Sequence, residues 1–129
     1  MMNALITNGI KVSVETRYAP SFSNPRDYKF FFAYNITIEN KSDHTVQLLS
    51  RHWYIHDSNS DIREVQGDGV VGNQPILAPN DIYSYSSGCP LDSDIGIMYG
   101  TYTMRRQLDD FLFEVDVPEF LMVLPYRLN

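Results

Sequence analysis

The sequence is poor in the features that would mark a secreted, membrane-bound or nucleic-acid-binding protein. It contains a single cysteine, Cys89, so no disulfide forms within the chain, as suits a reducing compartment. No stretch approaches the roughly 20 apolar residues of a membrane-spanning helix. The start, Met1-Met2-Asn3-Ala4-Leu5-Ile6-Thr7-Asn8-Gly9, lacks a basic segment followed by a long apolar run, so no signal peptide is expected. The expected location is the cytoplasm, with no membrane insertion. Basic residues are also scarce, at 10 Lys and Arg against 16 Asp and Glu, a formal net charge of −6. Nucleic-acid binding needs a basic face to displace counterions from phosphates, so no nucleic-acid partner is expected. Arg105-Arg106, and Arg26 near Lys29, read as solvated surface. Helical periodicity is missing throughout.

What the chain does have is alternation. Its 129 residues suffice for one domain, 1–129, with one core. Hydrophobic residues make up 43% and aromatics 13%, arranged mostly with a period of two. Ile10, Val12 and Val14 alternate with Lys11, Ser13 and Glu15. Phe30, Phe32, Tyr34, Ile36 and Ile38 share one face of the clearest strand. A third strand over residues 45–57 changes phase, with Val46 and Leu48 on one parity and Trp53 and Ile55 on the other. A β-bulge near Ser50-Arg51 reconciles the two halves. Residues 57–61 are turn chemistry, 62–66 a short strand, 67–79 irregular, 82–87 a strand and 88–94 a loop around Pro90. Strands over 97–104 and from Phe111 onward follow, with a bulge at Pro118. The pattern predicts an all-β fold, a sandwich of about seven to eight antiparallel strands, with a small barrel as its rival. Phe32, Tyr34, Ile36, Trp53, Tyr102 and Phe113 are expected in the core, and no helix is expected to exceed two turns.

Motifs that carry chemistry elsewhere lack their context here. Gly67-Asp68-Gly69-Val70-Val71-Gly72 matches G-x-G-x-x-G, but Pro75 and Pro79 follow where a dinucleotide fold needs a helix. The loop is expected to hold positive φ at its glycines. Its other reading is a nest of backbone N–H groups that takes an anion. His52 and His56 stand four apart on a strand, about 13 Å, too far to share a metal. Asp57, Asp61 and Asp68 form a weak oxygen-ligand set near one end of the domain, the basis for a minor magnesium reading. Cys89 has no nearby base, and Asp92 and Asp94 would raise its pKa. No catalytic constellation is found, and neither a cofactor nor a tight metal site is expected. In Arg51-His52-Trp53-Tyr54, Trp53 reads as a core anchor, while Arg51 and His52 are candidates for an interaction surface.

Three stretches together resemble the ApaG family: Leu48-Leu49-Ser50-Arg51-His52-Trp53, residues 67–75, and Tyr85-Ser86-Ser87-Gly88-Cys89-Pro90-Leu91. The similarity extends from Val12-Ser13-Val14-Glu15-Thr16-Arg17-Tyr18, through residues 32–38, to Phe113-Glu114-Val115-Asp116-Val117-Pro118. Two departures are Asn80, where a glycine is usual, and Asp94-Ile95, where Thr-Pro is common. The resemblance implies a fibronectin type III-like (immunoglobulin-like) β-sandwich without enzymatic activity. It also implies a link to cobalt resistance and magnesium efflux through the bacterial proteins also called CorD. Domains of this kind in a eukaryotic F-box protein and a DNA-polymerase-delta-interacting protein look like protein-interaction modules. The resulting expectation is a non-enzymatic domain that binds another protein and is tuned by a small anion. The alternative is a weak sensor of a phosphate-rich ligand, pyrophosphate or a nucleotide, or of a divalent cation, at residues 67–72.

Overall fold

The computed structural model describes residues 2–58 and 62–128. Among these residues nine strands run in the order β1 (Met2–Thr7), β2 (Ile10–Tyr18), β3 (Phe30–Asn40), β4 (Val46–Asp57), β5 (Ile62–Asp68), β6 (Ile76–Leu77), β7 (Ile82–Leu91), β8 (Ile95–Arg106) and β9 (Leu112–Val123). One sheet has the order β1-β2-β3-β7, the other β5-β4-β8-β9, and β6 adds to β4. Every pairing is antiparallel. Among the described residues the helices are 3-10 turns of three or four residues, so the sandwich is all-β as the alternation predicts.

The core is the sum of the inward parities. Ile10, Val12 and Val14 from β2 and Phe32, Tyr34, Ile36 and Ile38 from β3 face Trp53, Ile55, Met98, Tyr102, Val115, Val117 and Phe120 of the second sheet. Trp53 sits at its centre, with Tyr34, Tyr102 and Phe120 meeting its ring edge-on at centroid distances of 5.9, 6.2 and 6.1 Å. Such tilted contacts oppose the positive edge of one ring to the negative face of the next. Phe113 lies at the rim of the core and is only partly buried.

Two bulges keep the long strands inward. In β4 the register against β8 skips Leu49, one residue earlier than the sequence pattern suggests, so Leu48 and Trp53 both point to the core. In β9 the register against β8 jumps between Val117 and Phe120, which places buried Pro118 where its missing N–H breaks no ladder bond.

Three expectations need correction. The first strand is β1, before residue 10; it joins β2 through Asn8 and Gly9 at φ 51 and 79, a two-residue turn suited to Asn-Gly. Residues 88–91 continue β7 rather than forming a loop, because Pro90 lies on an edge strand where a lost N–H costs little. β5 runs on to Asp68. The turn assigned to 57–61 lies partly outside the described residues, which omit 59–61. Asn80 adopts φ 74, the left-handed conformation that its Asn-for-Gly departure requires.

Trp53→Ala removes the ring around which three aromatics pack and is expected to cost about 3–5 kcal/mol. Urea denaturation at neutral pH measures this as a lowered midpoint at unchanged slope.

Candidate functional site

The two margins of the sandwich differ. On one, β9 lies against β1 and β2: Asn3 Nδ2 donates to the Glu119 carbonyl at 2.8 Å, and the Asp116 N–H to Thr7 Oγ1 at 3.3 Å. On the other, the edge strands β5 and β7 leave a cleft of about 360 Å³. Tyr34, Trp53 and Tyr85 line it, with Arg51 and Arg63 among the polar groups. Arg63 spans the opening, its Nη2 donating to the Pro90 carbonyl at 2.6 Å and approaching Cys89 Sγ at 3.8 Å.

Residues 67–72 close one end of this cleft. The carbonyl of Leu49, one step beyond the Ser50–Asp68 pair of β4 and β5, accepts the Gly69 N–H and Gln74 Nε2, each at 2.8 Å. The Val70 N–H donates to the Asn73 carbonyl at 2.8 Å. Both of those N–H groups are therefore engaged, the first by β4 and the second within the loop. Gly69 at φ 62 and Gly72 at φ 79 meet the positive-φ expectation, and Val71 joins them at φ 46. Gly67 differs. Its backbone is not left-handed; a Cβ there would lie 2.8 Å from Nη1 of Arg51. The guanidinium lies over this glycine and donates from Nη1 to the carbonyls of Asp68 at 3.0 Å and Gly69 at 3.1 Å.

Arg51 and His52 leave β4 on opposite faces, as adjacent strand residues do, although Arg51 at Gly67 also borders the outer hollow that His52 lines. Arg51 shares the core-side parity of Trp53 and enters the cleft. His52 lies on the outer face, stacked on Tyr54 at 4.5 Å, and Tyr54 stacks on its cross-strand partner Tyr99 at 5.2 Å. Glu64 Oε1 is 3.0 Å from His52 Nε2. Sequence spacing shows His52, Tyr54 and His56 on one face; Tyr99 enters only through the β4–β8 register.

The other candidates separate. Asp57 and Asp68 stand at opposite ends of the β4–β5 pair, since Asp57 ends β4 and Asp68 faces Ser50, so the oxygen-ligand set near one end does not assemble from these two. Asp61 lies outside the described residues. Asp57 is buried and accepts the Asp92 N–H at 2.5 Å together with the Ser93 hydroxyl. The basic pair Arg105-Arg106 is answered at its own hairpin, Arg106 by Asp109 at 2.6 Å and Arg105 by Asp110 at 3.7 Å.

Burial, more than the nearby Asp residues, governs Cys89. The residue is 2% exposed, and desolvation pushes its thiol pKa up from 9.0 to about 11, partly opposed by the Arg63 charge. Desolvation likewise raises the phenols of Tyr34, Tyr85 and Tyr102, the last two joined hydroxyl to hydroxyl across the sheets. A group held protonated by the fold stabilises it below the unfolded-state pKa and loses that contribution as pH rises through the folded one. Stability is therefore expected to fall from pH 9.0 to about 11, with about 2 kcal/mol of the loss due to Cys89. Urea midpoints at neutral and alkaline pH measure the fall, and Cys89→Ala should reduce it.

The ApaG domain family model matches residues 20–106. Protein ApaG of Brucella anthropi is 48% identical over 124 residues, covering 96% of this chain and 95% of that protein. Protein ApaG of Brucella canis is 45% identical over the same shares. The crystal structure of an ApaA protein from Bordetella pertussis superposes with a TM-score of 0.86 at 45% identity, over 90% of this chain and 94% of that one. Matching in sequence along nearly its whole length and in fold, the chain belongs to the ApaG family.

Proposed function

We propose that the chain is a non-enzymatic binding domain that recognises another protein through the outer face of the β5-β4-β8-β9 sheet. The observation that carries this reading is the His52–Tyr54–Tyr99 stack, an aromatic strip already ordered on a half-exposed sheet face. Tyrosine supplies contact area with few torsions to freeze, and rigid aromatics on a sheet lose little entropy on binding. Polar groups rim the strip: Glu64, Gln66, Thr101 and Glu114. A buried, protonated Cys89 is a poor nucleophile at neutral pH, which favours binding over catalysis.

The setting of this role is the cytoplasm, in keeping with one free thiol. No helix among the described residues is long and apolar enough to cross a membrane. For the link to cobalt resistance and magnesium efflux, the proposed role is accordingly indirect, as partner or regulator of a transporter.

The test compares affinity capture from a lysate of the source organism by the wild-type chain and by the Tyr54→Ser, Tyr99→Ser double variant. A protein retained by the first and lost from the second, at unchanged circular dichroism, is the expected outcome. Equal retention by both would place recognition elsewhere.

A further inference from the structure

The cleft between β5 and β7 has a charge that the rest of the chain does not prepare for. The protein carries a net −6, yet among the described residues no Asp or Glu lines this cleft, and two arginines do. Among the described residues no carboxylate forms an ion pair with either Arg51 or Arg63. The hydrogen bonds they make go to neutral acceptors: Arg51 to the carbonyls of Asp68 and Gly69, Arg63 to that of Pro90 and weakly to Cys89 Sγ. Each of these uses a single terminal nitrogen, so each guanidinium keeps further N–H donors for a charged acceptor. Backbone carbonyls orient a guanidinium without neutralising it, whereas a carboxylate would do both. The same carbonyls fix Arg51 in advance of any ligand, and a preorganised donor loses less freedom when the ligand arrives.

Between the arginines the walls are apolar and aromatic. Tyr85 supplies the accessible ring, Trp53 and Tyr34 form the buried floor, and the hydroxyl of Ser87 adds a polar contact. A volume of about 360 Å³ falls at the small end of ligand pockets and holds a body of roughly ten non-hydrogen atoms.

From this arrangement we infer that the cleft is a binding site for a small organic anion, a single carboxylate or phosphate head on a planar apolar body. The head pairs with Arg63 at the opening and is attracted by Arg51; the body lies against Trp53 and Tyr85. The cleft is separate from the outer aromatic strip: Trp53 and Tyr54 are consecutive on β4 and point to opposite faces. An anion here reaches the loop 67–72 from the side of Val70 and Val71, which line the cleft.

Trp53 is the sole tryptophan, so its emission and indole N–H resonance report occupancy directly. Benzoate and phenyl phosphate serve as the two anionic probes, and benzyl alcohol as the uncharged body. The expected result is a saturable change at Trp53 with a dissociation constant of about 0.1–1 mM for at least one anion. The tighter of the two identifies the head group. Arg63→Gln, at an exposed position whose loss leaves the core intact, should weaken that binding about ten-fold. Benzyl alcohol should produce no saturation. The inference is overturned if neither anion saturates by about 10 mM, if Arg63→Gln binds as the wild type does, or if benzyl alcohol binds as tightly as benzoate.

Discussion

Leu49, skipped in the pairing of β4 with β8, is the point on which the rest of this structure turns. A strand of uninterrupted alternation could not put both Leu48 and Trp53 in the core, because an odd separation sends two side chains to opposite faces. Skipping Leu49 in the pairing with β8 restores the inward parity of both. At the skip the Leu49 carbonyl faces away from β8 and accepts the Gly69 N–H and Gln74 Nε2, carrying the β4–β5 register one step beyond Ser50 and Asp68. The loop that begins at Gly69 is thus attached to β4 at the same residue whose skip lets β4 serve one core along its whole length. With the loop in place, the carbonyls of Asp68 and Gly69 meet Arg51, and Gly67 leaves room for its guanidinium.

This arrangement also accounts for the unequal margins of the sandwich. Sheets of four and five strands with right-handed twist diverge toward their edges, and something must fill the gap. Where β1 and β2 meet β9, side-chain-to-backbone hydrogen bonds draw the edges together. Where β5 faces β7, Arg63 reaches across to Pro90 instead. A long side chain bridges a wider gap than Asn or Thr does, and the space behind it is the cleft. The domain therefore carries two distinct surfaces. One is a polar-rimmed aromatic strip on a sheet face; the other is a cationic cleft at a sheet margin.

Much of the fold was legible in the sequence because alternation maps directly onto burial. Phe32, Tyr34, Ile36, Trp53 and Tyr102 are all core residues, and the phase change in β4 marked a bulge to within a residue or two. Boundaries were harder to read where local chemistry pointed one way and tertiary pairing another. Gly88 and Pro90 read as loop, yet β3 recruits them as an edge strand; Met2 to Thr7 read as a plain start, yet pairing with β2 makes it a strand. The candidate site was less legible. Nothing in the spacing of Arg51 and Arg63 shows that both enter one cleft, since their meeting depends on the register of β4 against β5 and on the second sheet opposite. Likewise Gly67 looked like a conformational glycine and is a steric one, a distinction that only the position of Arg51 reveals.

The claim that the Leu49 bulge anchors the glycine loop is tested most directly by amide hydrogen exchange at Gly69. If its N–H is held by the Leu49 carbonyl as firmly as a ladder bond, it exchanges only through opening of the sheet, as slowly as the amides of β4 around Trp53. Exchange at the free rate of an exposed loop, with the β4 amides still protected, would show that loop and strand are uncoupled and would contradict the account.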